Sequence, residues 1–309
     1  MIENKTIGTQ SSPAIRADWR SWPKFAVSIG LLAWIISKIP LGSLKDSLVH
    51  AHRPSLLLAF FMVNLCMVVS ALKWRPLLTV LQIQIPLGRL LAFYYAGLFA
   101  NNFLPSGIGG DALRIYYVAR ESGKTKEAAA SVVMERLVAS LALGLTAAMA
   151  MLFVSHRGSS VVFWSVRGLV IFCFVLLVFL FCYPFREEGK IGIFLRRMGD
   201  YKQFPGTLAG VLMLSFLFQG CLVLSNVFTF MALGIHLPLY IHFLYIPVIM
   251  AVSMLPLSIN GLGVREGMYV LLYGYAGVDG ATAMLCSLLF FTQVTVSSLA
   301  GGLIILARK

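Results

Sequence analysis

Apolar positions dominate this chain in runs too long and too uniform for a soluble fold. Predominantly apolar stretches cover 25–41, 55–72, 128–153, 163–183, 207–233 and 282–306. A helix of 17–25 such residues crosses about 30 Å of hydrocarbon, so each stretch is read as a transmembrane helix. Two regions break the pattern, 88–120 and 240–276. Each holds two apolar segments of about 15 residues, joined by a polar, Pro- and Gly-rich interruption; 15 helical residues rise only about 22 Å. The interruptions resemble each other: LPSGIGGDALR at 104–114 and LPLSINGLGVREG at 255–267.

Either region can be laid out as two short crossings or as a re-entrant hairpin that enters and leaves on one side. The distribution of Lys and Arg decides. With the N-terminus inside and hairpins at both regions, 18 fall in segments 1–24, 73–89, 114–126, 186–202 and 308–309. Only Lys38, Lys45, Arg53, Arg157 and Arg167 fall outside. The positive-inside bias therefore favours hairpins, with both termini cytoplasmic. The order span, span, broken hairpin, span then occurs twice, over 25–153 and 163–306. Three crossings per unit place the second unit upside down relative to the first. The expected fold is all-α and polytopic: about six full transmembrane helices and two re-entrant helical hairpins in two inverted-topology repeats. A polar cytoplasmic segment, 1–24, precedes them. Broken helices at matching positions of inverted halves point to a transport site near the midplane.

Composition agrees. Of 309 residues, 59% are hydrophobic and 12% charged, with a mean hydropathy of +0.86; soluble domains run at about 45–50% and 25%. The charged N-terminus is too long, and the helix after it lacks a small-residue cleavage site, so that helix is read as uncleaved in the cytoplasmic (inner) membrane. The net charge of +13 is spread over short loops, which fits membrane topology and anionic lipid, not nucleic acid. Cys66, Cys173, Cys182, Cys221 and Cys286 lie inside apolar runs without paired spacing and are read as packing residues. The five histidines, His50, His52, His156, His236 and His242, map to or near the outer face and are read as solvated loop residues, and no nucleophile–base or metal-ligand spacing is visible. The chain is therefore not read as an enzyme, and no cofactor or metal is expected.

Irregular backbone at membrane depth is tolerated only where it lines a cavity or is covered by protein. Pro105 to Gly110 and Pro256 to Gly263 should therefore line one. A half-helix begins beyond each break, near Asp111 and near Val264, and its free N–H groups and positive dipole end suit a phosphate or carboxylate. Gly109, Gly110, Gly261 and Gly263 allow close approach of a ligand, and Asn260 adds a polar side chain. Six charges lie at membrane depth: Asp111, Arg114, Glu135, Arg136, Arg265 and Glu266. Such charges cost roughly 2.5–3.5 kcal/mol each and are mostly paired, inward-facing and functional. Arg114, Arg136 and Arg265 are the expected substrate contacts, since a guanidinium grips phosphate bidentately. The acids could orient them, receive a cationic headgroup or carry a proton; Asp111 also fits a helix cap, and Glu135 with Arg136 a structural pair. Lys73-Trp74-Arg75 reads as an interfacial anchor. Asn64, Gln219, Asn226 and Gln293 read as helix–helix hydrogen bonds ahead of cavity lining.

The run NNFLPSGIGGDALRIYYVARESGKTKEAAASVVMERLV, with ALKWRPLL before it and LPLSINGLGVREG after it, resembles the flippase-like membrane domain of lysylphosphatidylglycerol synthases. That domain also occurs alone, in proteins linked to hopanoid or glycolipid pathways. The resemblance spans about 25–306. It implies a lipid translocator whose polar positions correspond to Asp111, Arg114, Glu135, Arg136, Arg265 and Glu266. The family often carries an arginine in the final span, whereas FFTQVTVSS has none, so a different headgroup or coupling is expected. The resemblance does not extend to an aminoacyl-transferring domain, so the chain is not expected to make aminoacylated lipid itself. The expected ligand is a membrane lipid with an anionic or zwitterionic headgroup. A lipid-modifying enzyme or further copies of the chain are compatible partners. The competing readings are a non-transporting partner of such an enzyme, a membrane lipid-phosphate enzyme and a carrier of small water-soluble solutes.

Overall fold

The computed structural model describes residues 51–103, 109–153, a few positions between 164 and 175, 189–255 and 258–307. Segment 1–24, span 25–41, most of span 163–183 and both break prolines, Pro105 and Pro256, lie outside the described residues. Among the described residues the regular structure is helical: α1 Arg53–Val80, α2 Leu87–Phe103, α3 Gly109–Ser122, α4 Thr125–Met151, α5 Gly189–Asp200, α6 Pro205–Ala232, α7 Leu239–Ser253, α8 Val264–Tyr275 and α9 Gly280–Ala307. Short 3-10 turns at Tyr201–Gln203 and Ile259–Gly261 complete it.

Helices α1, α4, α6 and α9 are each long and apolar enough to cross a membrane, with mean hydropathies of 2.3, 1.6, 2.1 and 1.8 over an 18-residue stretch of each. They match the spans expected at 55–72, 128–153, 207–233 and 282–306. The chain is a multi-pass membrane protein. α1 runs eight residues beyond the expected end, straight through Pro76.

Both broken regions fold back on themselves. From the bend outward, Gly110 N–H donates to Asn101 Oδ1 at 2.8 Å, Phe93 stacks on Tyr117 at 5.1 Å, and Arg89 meets Glu121 at 3.3 Å. At the feet, Lys124 Nζ donates to the Gln82 carbonyl at 2.9 Å. These pairs straddle one centre, so α2 and α3 are antiparallel along their whole length. In the second region, Tyr245 packs edge-on against Tyr273, and His242 Nδ1 lies 2.8 Å from the Tyr273 hydroxyl. α7 and α8 are antiparallel as well.

A further regularity emerges from the element ends. α1 and α6 are both 28 residues long, and 53 and 80 become 205 and 232 on adding 152. Both end in the same motif. The amides of Ile83 and Gln82 donate to the carbonyls of Leu78 and Thr79, and those of Ile235 and Gly234 to Phe230 and Met231. This is the Schellman closure, which needs a left-handed residue just past the helix. Gln82 (φ 57°) and Gly234 (φ 76°) supply it. The following LQIQIPL and LGIHLPL then open α2 and α7. α1 and α6 pack together more extensively than any other described pair. They run antiparallel: His52 N–H donates to the Ala232 carbonyl at 2.8 Å, and Cys66 Sγ lies 3.8 Å from the Phe218 carbonyl. Exchanging the halves maps the helix pairings onto one another, α2 on α9 becoming α7 on α4, for example.

α9 sits against α2 through Gly301 and Gly302. A Cβ on Gly301 would stand 1.9 Å from the Tyr95 carbonyl oxygen, so only glycine permits this contact. On the face shared by the end of α1 and the start of α4, α5 is held by Arg197 to Glu127 (3.1 Å) and by the Tyr201 hydroxyl to the Leu77 carbonyl (3.0 Å).

Candidate functional site

Between the two hairpins lies a chamber of about 300 Å³, at the lower limit of small-ligand sites. Eight of the described helices contribute to its wall: Lys73 from α1, Tyr94 and Asn102 from α2, Asp111 and Arg114 from α3, Glu135 and Arg136 from α4, Gln219 from α6, Met250 from α7, Arg265 from α8 and Phe291 from α9. The two breaks touch across it, where Asn260 Nδ2 donates to Asn102 Oδ1 at 2.7 Å. Asn260 can make this contact because it takes the left-handed conformation (φ 52°), which a short polar side chain tolerates.

The charges form an alternating chain. Lys73 Nζ lies 3.3 Å from Glu135 Oε1, and Arg114 Nη1 donates to Glu135 Oε2 at 3.0 Å. Arg114 Nη2 donates to Asp111 Oδ1 at 2.8 Å, and Asp111 in turn accepts from Arg136 at 2.9–3.1 Å. Lys73–Glu135–Arg114–Asp111–Arg136 thus crosses α1, α4 and α3. It is graded in access: the Arg114 side chain is 4% exposed, that of Arg136 47%. Arg114 also lies over the rings of Trp74 and Tyr94 at 4.8 and 4.2 Å, a cation–π placement that makes up for lost water. Arg136 is the end that opens to the chamber. Glu135 and Arg136, although adjacent in sequence, pair with different partners and not with each other.

On the opposite wall, Arg265 donates through Nη2 and Nε to Glu266 Oε1 at 2.5 and 3.1 Å, and Ser287 Oγ donates to the same oxygen at 3.2 Å. Glu266 Oε2 accepts the Gly263 N–H at 2.6 Å. Glu266 is fully buried, and its carboxylate fixes Arg265 and caps α8. Arg265 faces the chamber over the Phe291 ring at 4.7 Å.

The structure thus brings Asp111, Arg114, Glu135, Arg136, Asn260, Gly110 and Arg265 to one cavity, with Glu266 directly behind Arg265. Gly109, Gly261 and Gly263 shape the backbone and are not among the lining residues. One expectation changes in detail. The Gly110 and Gly263 amides, expected to face a ligand, already have protein acceptors in Asn101 and Glu266. Donors to spare remain on two guanidinium groups and one amide: Nη1 of Arg136, Nη1 of Arg265 and Nδ2 of Asn102 make no hydrogen bond among the described residues.

Three readings need correction. Lys73 and Trp74 are not an interfacial anchor. Both are buried, Lys73 on Glu135 and Trp74 Nε1 on Ser131 Oγ at 3.0 Å, because α1 continues past Leu72 and carries them inward; Arg75 alone stays exposed. His242 is not on a solvated loop. It is buried among Phe230, Tyr245 and Tyr273, while His52 and His236 are exposed. Gln219 lines the chamber with its Oε1 unpartnered, whereas Asn64 and Asn226 do bind neighbouring helices, through Tyr95, Ser297 and Tyr269. The signal for Lys73 was its position: it follows an apolar span by one residue, the spacing at which a helix extended by two turns buries it.

Beside the chamber, an apolar groove of about 450 Å³ runs between α4 and α7. Ser140, Leu143 and Met254 line both spaces; Phe172, Val248, Ala251, Val252 and Leu255 complete the groove. Phe172, Met254 and Leu255 are exposed on the outer surface.

The sequence profile of the lysylphosphatidylglycerol synthase TM region matches residues 21–301. The UPF0104 membrane protein PH1989 of Pyrococcus horikoshii is 20% identical over 291 aligned residues, covering 82% of this chain and 87% of its own. No solved structure matches.

Proposed function

The chain belongs to the family of the lysylphosphatidylglycerol synthase TM region, and from that premise we propose that it moves a lipid with a phosphate-containing headgroup between leaflets. In this reading the headgroup occupies the charged chamber while the acyl chains lie in the groove between α4 and α7. The single observation that carries it is that the two spaces are neighbours, with Ser140, Leu143 and Met254 in the walls of both. A carrier of water-soluble solutes needs a polar site walled off from lipid. A charged cavity that shares a wall with an exposed apolar groove suits an amphiphile. We assign no reaction to the chain.

The alternating access this requires is supported by the two halves, 25–153 and 163–306, read as inverted-topology repeats with re-entrant hairpins. The antiparallel course of α1 and α6 and the interchangeable helix pairings agree with that reading. Arg136 and Arg265 are the proposed headgroup contacts, one on each side of the chamber. Lys73, Asp111, Glu135 and Glu266 are proposed to hold the arginines in place.

The test is reconstitution into liposomes carrying lipids labelled on one acyl chain, with and without a pH gradient, followed by chemical quenching from outside. Wild-type chain should expose the inner-leaflet label of at least one phospholipid class, and Arg136→Ala and Arg265→Ala should slow that movement at least tenfold (about 1.4 kcal/mol). Movement no faster than in protein-free liposomes, for every class and gradient, would sink the reading.

A further inference from the structure

We propose that the chamber selects a monoanionic phosphodiester whose remaining headgroup is neutral, and that Lys73 supplies the selecting charge. This rests on the lipid-translocator reading and narrows its substrate class.

The inference comes from counting charges where water is scarce. Around the chamber, the described residues carry four cations, Lys73, Arg114, Arg136 and Arg265. Against them stand three anions, Asp111, Glu135 and Glu266. Among the described residues, one of these positive charges has no counterpart. The six charges visible from the sequence cancel; Lys73, drawn inward by the extra turns of α1, tips the balance. Lys73 and Arg114 are buried, where an unbalanced charge is costly, so the chamber is complementary to one negative charge.

The hydrogen bonds point the same way. Each carboxylate already serves two partners: Glu135 holds Lys73 and Arg114, Asp111 holds Arg114 and Arg136, and Glu266 holds Arg265 and the Gly263 amide. A cationic headgroup would have to break one of these pairs. Spare donors, in contrast, remain on Arg136 Nη1, Arg265 Nη1 and Asn102 Nδ2, and guanidinium groups are suited to phosphate oxygens.

A phosphodiester brings one charge and neutralises the chamber. A zwitterion brings its own cation and leaves the excess in place. A phosphomonoester overshoots as its second proton leaves, and an aminoacylated lipid adds charge of the wrong sign. Gln219, a neutral amide on the same wall with its Oε1 unpartnered, matches a headgroup hydroxyl without altering the balance.

The test uses the purified full chain in detergent with an equimolar mixture of phosphatidylglycerol, phosphatidylethanolamine and phosphatidic acid, and reads the retained lipids by native mass spectrometry. Wild type should retain phosphatidylglycerol over phosphatidylethanolamine by about tenfold. Lys73→Met makes the chamber neutral and should bring the two to near parity. Glu135→Gln makes it doubly positive and should move the preference to phosphatidic acid. The double variant Lys73→Met with Glu135→Gln has the wild-type charge and should regain the phosphatidylglycerol preference, a recovery that mere damage to the fold does not produce.

Equal retention of phosphatidylethanolamine by wild type, or a double variant no more selective than Lys73→Met, overturns the inference. Glycerophosphoglycerol, the deacylated monoanion, separates lipid from free phosphodiester. If it displaces phosphatidylglycerol at equal concentration, the ligand is a soluble anion and the lipid assignment falls. Since retention is read at equilibrium, a chain selective for phosphatidylglycerol that moves no lipid overturns only the translocator reading. Movement of lipid without this selectivity overturns only the charge inference.

Discussion

Arg114 and Arg136 show how two residues of one type acquire different tasks from their surroundings. Arg114 is enclosed by two carboxylates and two aromatic rings, and Arg136 shares one carboxylate and opens to the chamber. Removing one partner of a buried pair leaves an uncompensated charge, which costs about 3–5 kcal/mol. Glu135→Ala, which strands both Lys73 and Arg114, is therefore expected to lower thermal stability in detergent by that amount. Arg136→Ala should leave the melting temperature within a few degrees of wild type and act on lipid retention instead. Equal loss of stability in both variants would contradict the division. Six of the seven charges were legible in the sequence because they stand in the two helix breaks, as Asp111, Arg114, Arg265 and Glu266 do, or inside an apolar run, as Glu135 and Arg136 do. Lys73 was not, because it borders one, and only the true end of α1 decides on which side of the border it lies.

At the scale of elements, lengths and breaks follow from the sequence, and contacts do not. The four long helices lie where apolar runs demand them, and α3 and α8 start within two residues of Asp111 and Val264. The kinship of LQIQIPL with LGIHLPL was also present in the sequence, hidden because a turn motif stands out only once its left-handed residue is known. That kinship carries a prediction. Gly234 and Gln82 occupy equivalent left-handed positions, and a side chain there costs roughly 1–2 kcal/mol. Gly234→Gln should thus lower the unfolding temperature, and Gln82→Gly should hold or raise it. The α9–α2 contact carries another. Gly301→Ala drives a methyl into the Tyr95 carbonyl and should cost about 1–3 kcal/mol, the range for overpacked cores, whereas Gly220→Ala, with open space around it, should be near neutral. Parallel melts of the two variants check this.

For the whole molecule, the decisive feature is that chain segments far apart in sequence return to the same place. Gln82 and Lys124 bracket the first hairpin yet are bonded, and His52 meets Ala232 at the other end of α1. Cysteines placed at 82 and 124 in a chain cleared of its native ones should therefore react together with an impermeant thiol reagent from one side of the membrane. Those placed at 52 and 233 should react from the other. Labelling of 82 and 124 from opposite sides would mean that the first region crosses the bilayer, and the hairpin layout would fall.

The sequence by itself determined the class of protein, the long helices, the two breaks and most of the charges, because each of these is a local matter of hydrophobic length, missing amide hydrogens and the cost of a charge among apolar neighbours. Only the tertiary structure decided that both breaks share one chamber, that five of the seven charges join into one alternating chain, that Lys73 belongs to it, and that an apolar groove lies beside the chamber. Those facts depend on which helix faces which across more than a hundred residues of chain. A hydropathy pattern records how deep a residue sits and is silent about what stands opposite.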